Sequence, residues 1–230
     1  MAGAGSQDSA RRAGDTTLFR VARDVGFNAR VEPFWRTFER LKSRMGFFER
    51  RRERRRLERI VAGVRRGLKE AGADPQGWDA REGECVCNLR VARMGLVKEF
   101  KTYVRGAAEG AQAGDPWPHL FALRDRPCLL IPVEFARPLS VSPGGGEEPF
   151  PVASSLRARA ELEEINARLR IDETFAIRKM VDYLDATERD IAIYESRFGT
   201  SEGFWPKFTF VLLRKLCEAS AAHRLPVLFA

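Results

Sequence analysis

Hydrophobic side chains between residues 33 and 73 recur at steps of three and four, the period of one helix face. They form two stripes with a polar gap between them: Phe34, Phe38, Leu41, Met45 and Phe48, then Leu57, Ile60, Val61, Val64, Leu68 and Ala71. Pro33 suits a first helical turn, and Gly72 suits an end. Because one straight helix of this length would span roughly 60 Å, we predict two helices in series, with Gly46 as a candidate bend.

The gap between the stripes carries half of the net charge of the chain. Residues 49–59 hold seven Arg and three Glu, a net +4 out of +8. This basic band fits a phosphate-binding face for DNA or RNA, a solvated face partly neutralised by Glu–Arg pairs at i,i+3 and i,i+4, or an import or partner-docking patch. The candidate contact residues are Arg50, Arg51, Arg52, Arg54, Arg55, Arg56 and Arg59.

The composition is that of a folded protein. Of 230 residues, 44% are hydrophobic and 16 are Phe, enough for a real core. Arg outnumbers Lys 33 to 7, which suits bidentate phosphate contacts but also arises in GC-rich genomes. No apolar run reaches the ~18 residues of a membrane helix, and residues 1–14 lack a secretory core. We therefore expect an intracellular protein, cytoplasmic or, in a eukaryote or virus, nuclear, with no membrane partner.

The remaining pattern predicts an α/β or α+β fold, with a small mixed sheet, a basic N-terminal helical arm and a C-terminal helical bundle. Strands are expected near 84–92, 119–123, 128–135 and 225–229, and helices over 18–25, 155–169, 172–198 and 204–223, while 96–104 fits either. The expected parts are a disordered tail at 1–14, a helical region at 15–73, a sheet region at 84–139, a linker at 140–151 and a helical region with a terminal strand at 152–230.

Metal and nucleophile signals are weak. On a strand, Cys85 and Cys87 would lie on one face about 7 Å apart, but structural zinc prefers Cys-x2–4-Cys spacing. We therefore favour buried core cysteines over a metal site and expect all four thiols to be reduced. His119 and His223 have no Ser, Cys and acid in a known catalytic order around them. Nucleotide-binding loops are also absent from the sequence, so we predict no cofactor.

One pattern points to catalysis. Asp125 precedes a hydrophobic run that ends at Glu134, and an acid on each side of a strand can hold Mg²⁺ for phosphodiester hydrolysis. This arrangement resembles the core of restriction-type nucleases, and the resemblance implies a divalent-metal nuclease. That family places a Lys two residues after the second acid, where this chain has Ala136. Arg137 comes one residue later and would face the other way on a strand.

Aromatic residues flank the basic band. Phe34 and Phe38 have core spacing, whereas Trp35 and Phe47 lie off the hydrophobic stripe. If exposed, they could stack on unpaired bases or contact a protein. A basic face that recruits arginines from outside 49–59 would favour nucleic acid. An isolated charged helix with an apolar flank would favour a protein partner.

Three function classes follow in order of preference. The first is a non-enzymatic nucleic-acid-associated protein that binds the phosphate backbone through the Arg-rich helix. The alternative is a structural or assembly protein that docks an acidic partner surface through the same helix. The third is the divalent-metal nuclease.

Overall fold

The computed structural model describes residues 27–107, 116–124, 127–171, 183–198 and 203–229. Within these ranges the chain forms seven α-helices and one six-stranded sheet, which confirms the predicted mixed α/β architecture. The strands are β1 Phe27–Val31, β2 Cys87–Val91, β3 Cys128–Ile131, β4 Leu139–Val141, β5 Phe150–Ser154 and β6 Val227–Phe229. The helices are α1 Arg36–Leu41, α2 Phe47–Glu70, α3 Leu96–Ala107, α4 Pro118–Ala122, α5 Ser155–Leu169, α6 Glu188–Phe198 and α7 Phe204–His223.

The sheet has the strand order β2-β1-β6-β3-β5-β4. Neighbouring strands are antiparallel except β3 and β5, which are parallel. The most apolar run of the chain forms β3 in the interior of the sheet, and all four of its residues are buried. The strand ends at Ile131 because the next residue, Pro132, has no N–H to donate to a ladder.

Side chains on the two faces of the sheet belong to two separate hydrophobic clusters. On β3, Cys128 and Leu130 pack into a cluster with α3, α5 and α7. Leu129 and Ile131 point the other way, into a cluster with α1 and α2. The sheet is therefore a middle layer, and the basic helix packs on one of its faces. No helix in the described ranges is both long and apolar enough to cross a membrane.

The N-terminal basic region consists of two helices, as predicted. After α1, a short 3₁₀ turn at Lys42–Arg44 leads to Gly46, the N-cap of α2. The break therefore precedes the basic band, and the whole band lies on one helix of 24 residues. The assignment of Phe48 to the core stripe was wrong, because its side chain is 82% exposed, and the stripe ends at the buried Met45.

Other local predictions need correction. Residues 119–123, predicted as a strand, lie mostly in α4, which opens with a Pro at its first turn. The ambiguous segment 96–104 is helical. Strands β1, β4 and β5 were not predicted, and the expected linker at 140–151 contains parts of β4 and β5. Of the helices predicted at 18–25 and 172–198, residues 18–25 and 172–182 lie outside the described residues, and α6 begins at Glu188.

We predict that Ile131→Asp abolishes soluble expression, because the substitution buries an unpaired charge between β3 and the basic helix. Soluble yield and thermal melting measure the effect. Val86→Asp is the control, since Val86 is an aliphatic residue that is 41% exposed. A soluble Ile131→Asp protein that melts like the wild type would contradict the assignment of β3 to the core.

Candidate functional site

Helix α2 is amphipathic, and its apolar side fixes which residues face solvent. Its buried face repeats every three or four residues: Leu57, Ile60, Val61, Val64 and Leu68. Two glycines allow a close approach to β4. A Cβ atom added at Gly63 would lie 2.9 Å from Val141 Cγ1, and one added at Gly67 would lie 3.0 Å from Leu139 Cδ1. The rotation of the helix about its axis is therefore set by the packing on the sheet.

Arg56, one of the candidate phosphate contacts, lies on the buried side of this helix. It is 5% exposed, and its Nε and Nη2 donate to the Glu147 carboxylate at 2.7–2.9 Å. The buried Glu53 carboxylate lies 3.8 Å from Arg56 Nη1. Arg56 therefore ties the helix to the rest of the chain and is not available to a phosphate on the surface.

Glu147 belongs to the segment 142–148, which we call the glycine loop. Arg59 Nε donates to the Pro143 carbonyl at 2.7 Å. Gly144 lies so close to Arg59 that a Cβ atom there would be 2.9 Å from Arg59 Nε, and its φ is +80°. Both the contact and the dihedral favour glycine. The glycine loop is thus bound to α2 at two arginines.

Two more arginines of the basic band have partners within α2 or just before it. Arg54 Nε donates to Glu58 at 3.0 Å in an i,i+4 pair, and both side chains are largely exposed. Arg50 Nη2 donates to the Met45 carbonyl at 3.2 Å. The Glu58 carboxylate offsets part of the charge of Arg54, although exposed pairs of this kind are weak. The carbonyl contact engages one nitrogen of Arg50 and leaves its charge in place.

Three arginines remain exposed with no hydrogen bond or ion pair to the described part of the chain: Arg51, Arg52 and Arg55. Together with Phe48 and Arg59 they line a shallow surface groove of ≈ 430 Å³, which we call the arginine groove. Its five residues all come from α2. Spacings of three and four residues place them along one side of the helix.

The apolar flank of the arginine groove is a pair of aromatic rings at the start of α2. Phe47 and Phe48 are 68% and 82% exposed, and their rings meet edge to face with centroids 5.5 Å apart. Trp35, the other aromatic off the hydrophobic stripe, is buried at 6% exposure. All the residues that line the arginine groove come from one helix, and the groove has an apolar flank, an arrangement that favours a protein partner.

The described residues do not form the predicted nuclease site or a cysteine metal site. Asp125 lies outside the described residues, and Glu134 is an exposed side chain paired with Arg157 at 3.0 Å. Cys85 donates through Sγ to the Cys87 carbonyl, and burial raises the pKa of both thiols. Within the described ranges there is no group of three or more His, Cys, Asp or Glu side chains placed to hold a metal. The four cysteines are free thiols.

His119 has a structural environment. Its Nδ1 accepts from the Ser154 N–H at 3.0 Å, so Nε2 carries the proton and donates to the Ala136 carbonyl at 3.3 Å. Burial lowers the pKa of His119. The Glu161 carboxylate accepts from the backbone N–H groups of His119 and Leu120 at 3.0 and 2.8 Å, and so caps α4. Both ring nitrogens are engaged by backbone groups, so neither is available to accept a proton as a general base.

Comparison with known proteins identifies a family. The model of a family described as "Putative DNA-mimic protein" matches residues 55–229, about three quarters of the chain. The chain belongs to this family. Neither the curated proteins nor the solved structures include a significant match.

The DNA-mimic family segment of this chain is not acidic. Residues 55–229 contain 27 Lys and Arg against 25 Asp and Glu, a net +2, so most of the +8 comes from the first 54 residues. Many carboxylates on this segment are also neutralised by arginine. The pairs are Glu58–Arg54, Asp79–Arg65, Glu99–Arg93, Glu134–Arg157, Glu147–Arg56, Glu163–Arg159, Glu195–Arg93 and Glu218–Arg214.

We predict that neighbouring arginines of the basic band respond differently to substitution. Arg56→Gln should lower the free energy of unfolding by roughly 2–3 kcal/mol, because it removes the buried guanidinium that pairs with Glu147 and lies beside Glu53. Arg55→Gln, a matched change one residue away on the exposed side, should change it by less than about 0.5 kcal/mol. Urea unfolding measures both values. Equal effects would show that Arg56 is not held as the structure has it.

A second prediction concerns Glu161. Desolvation raises the pKa of Glu161 from 4.5 to about 7. The folded state therefore holds this proton where the unfolded chain has lost it, so the contribution of Glu161 to stability falls as pH rises from 4.5 to about 7. The difference in free energy of unfolding between wild type and Glu161→Gln should follow this trend, while the titration of His119 cancels from the difference.

The control for Glu161 is Glu163→Gln, an exposed carboxylate on the same helix. Urea unfolding at several pH values gives both differences. A difference for Glu161→Gln that is constant with pH would contradict the raised pKa.

Proposed function

We propose that this protein is a non-enzymatic interaction protein of DNA-handling assemblies, and that it docks an acidic surface of a protein partner through the arginine groove. The observation that carries the proposal is the composition of that groove: three arginines that have no partner among the described residues, beside an exposed aromatic pair. Arginine and aromatic residues, including phenylalanine, are enriched at the cores of protein interfaces.

The number of available arginines argues against duplex DNA as the main ligand. Of the seven candidate contacts, Arg56 is buried, and Arg50, Arg54 and Arg59 each have a partner of their own. Arg51, Arg52 and Arg55 are the ones with no partner in the part of the chain that the structure describes. Three phosphate contacts would give a slope of only about −2.7 in log K against log salt. Such a surface binds a duplex weakly at physiological salt, whereas a protein partner can add apolar contacts to the same three charges.

The family description supports a protein partner in a DNA context. A protein that mimics DNA is recognised by proteins that bind DNA, and does not itself bind nucleic acid. Mimicry of phosphates needs a row of unpaired carboxylates, and the family segment carries a net +2 with many carboxylates paired to arginine. The family description therefore supports only the class of partner, a protein that handles DNA. The position of the contact and the acidic character of the partner rest on the charge of the arginine groove, three of whose five residues precede the matched range.

Direct binding of single-stranded nucleic acid is the second candidate. Exposed Phe47 and Phe48 beside arginines are the combination on which unpaired bases stack. Both candidate ligands use the same surface, so loss of binding after the arginines are replaced would not distinguish them. The experiment must identify the ligand that lies in the groove.

The test is a photo-activatable cross-linking residue at position 55, introduced into the full chain in cells of the source organism. We expect a discrete protein adduct at position 55 that disappears when Arg51 and Arg52 are changed to Gln. The same residue at position 66, an exposed arginine farther along α2, is the control and should give no such adduct. Adducts with DNA or RNA, or none specific to position 55, would overturn the proposal.

We also predict how the wild type and a triple arginine variant bind nucleic acid in solution. Changing Arg51, Arg52 and Arg55 to Gln keeps good helix formers at exposed positions, so the fold and thermal stability should be preserved. Labelled duplex and single-stranded oligonucleotides should show no measurable binding at 150 mM salt to either protein. Wild-type binding that the triple variant loses, with a slope change of about 3 for a duplex, would favour the nucleic-acid candidate.

A further inference from the structure

The phenylalanine pair is a feature that charge does not explain. Phe47 and Phe48 occupy the first turn of α2, and neither contributes to the two hydrophobic clusters. Their rings contact each other but stay in water, at 68% and 82% exposure. Adjacent exposed aromatics of this size are unusual on a solvated helix and mark a surface that a partner covers.

The phenylalanine pair and the arginines form one continuous strip. Phe48, Arg51, Arg52, Arg55 and Arg59 all line the arginine groove. At 1.5 Å per residue, the strip from Phe48 to Arg59 is about 16 Å long. Its apolar end is at the helix N-terminus, where unpaired N–H groups add to the positive potential of the arginines.

We infer that the occupant of the arginine groove is an acidic amphipathic helix of a protein partner, with an apolar side chain against Phe47 and Phe48 and carboxylates against Arg51, Arg52 and Arg55. This inference rests on the proposed function and names the partner's chemistry. Carboxylates three and four residues apart on a helix share a face, so their spacing matches that of the arginines. A partner strip of 16 Å corresponds to about three helical turns.

Competing occupants use only part of the strip. A duplex presents phosphates to the arginines but no apolar surface to the phenylalanine pair. A uniformly acidic protein surface likewise leaves the two rings in water. A single strand could use both parts through base stacking, and is therefore the alternative that the experiment must separate from an acidic helix.

The experiment uses the full chain and two labelled helical peptides of about four turns. The first carries glutamates at i,i+3 and i,i+4 spacing with leucines at one end of the same face. The second has serine in place of each leucine. A single-stranded oligonucleotide is the third probe. Fluorescence anisotropy gives the Kd of each probe for the wild type and three variants.

The variants separate the two parts of the strip. Phe47→Ala with Phe48→Ala removes the apolar part and keeps helix formers at exposed positions. The triple change of Arg51, Arg52 and Arg55 to Gln removes the charges, and Met94→Ala is the control, an apolar side chain elsewhere that is 55% exposed. We expect the phenylalanine variant to bind the leucine peptide about tenfold more weakly, with the serine peptide unaffected. The arginine variant should lose both peptides, and the control neither.

Each other outcome has a definite meaning. If the phenylalanine variant binds the leucine peptide like the wild type while the arginine variant loses it, the inference is overturned and the proposed function stands. The wild type could instead bind neither peptide but bind the single strand, with weaker binding by the phenylalanine variant. The occupant would then be nucleic acid, and both the inference and the proposed function would be overturned. If no probe binds, an acidic helix is excluded and the inference also fails.

Discussion

The surface chemistry of this protein depends on the contact between α2 and β4. Gly63 and Gly67 bring the helix so close to Val141 and Leu139 that a Cβ atom at either glycine would force its neighbour to move. The glycines are four residues apart, so they lie on one side of the helix, next to the buried apolar face. This packing fixes the rotation of α2, and the rotation decides which arginines reach solvent. The division of the basic band into bound and exposed residues is therefore a consequence of core packing.

The helical period of α2 is enough to place Arg56 on the buried side of the helix and Arg55 on the exposed side. Extending the buried stripe of α2 backwards in steps of three and four leads from Leu68 through Ile60 to residues 56, 57 and 53. This extrapolation places Arg56 on the core side, and the buried Glu53 belongs to the same face. The pairing with Glu147, 91 residues away, could not be predicted, because it depends on where the glycine loop meets the helix.

The parts of the fold that followed from the sequence are those with a long hydrophobic period. Helices α2, α5 and α7 have such periods, and Gly46, the predicted bend, is the N-cap of α2. Strand β3 was predicted from a continuous apolar run instead. Strand β1 does alternate, with apolar residues at Phe27, Ala29 and Val31, but the alternation covers only five residues. The polar side chains between them are also buried, and Arg30 lies 3.2 Å from Glu32. Strands β4 and β5 are short and flank a glycine-rich loop. Their existence depends on long-range pairing, which no local pattern reports.

The three exposed arginines and the phenylalanine pair would have different physical roles in recognition. Three exposed cations act over a Debye length of about 8 Å at physiological salt, so they mainly raise the rate of encounter and exclude basic partners. Exposed ion pairs add little free energy, and duration of binding depends on apolar burial, which the phenylalanine pair supplies. A solvated helix face needs only the charges, and a phosphate-binding face needs more arginines than remain available. Three exposed arginines without partners in the described part of the chain, beside two exposed rings, match the proposed partner in both charge and apolar surface.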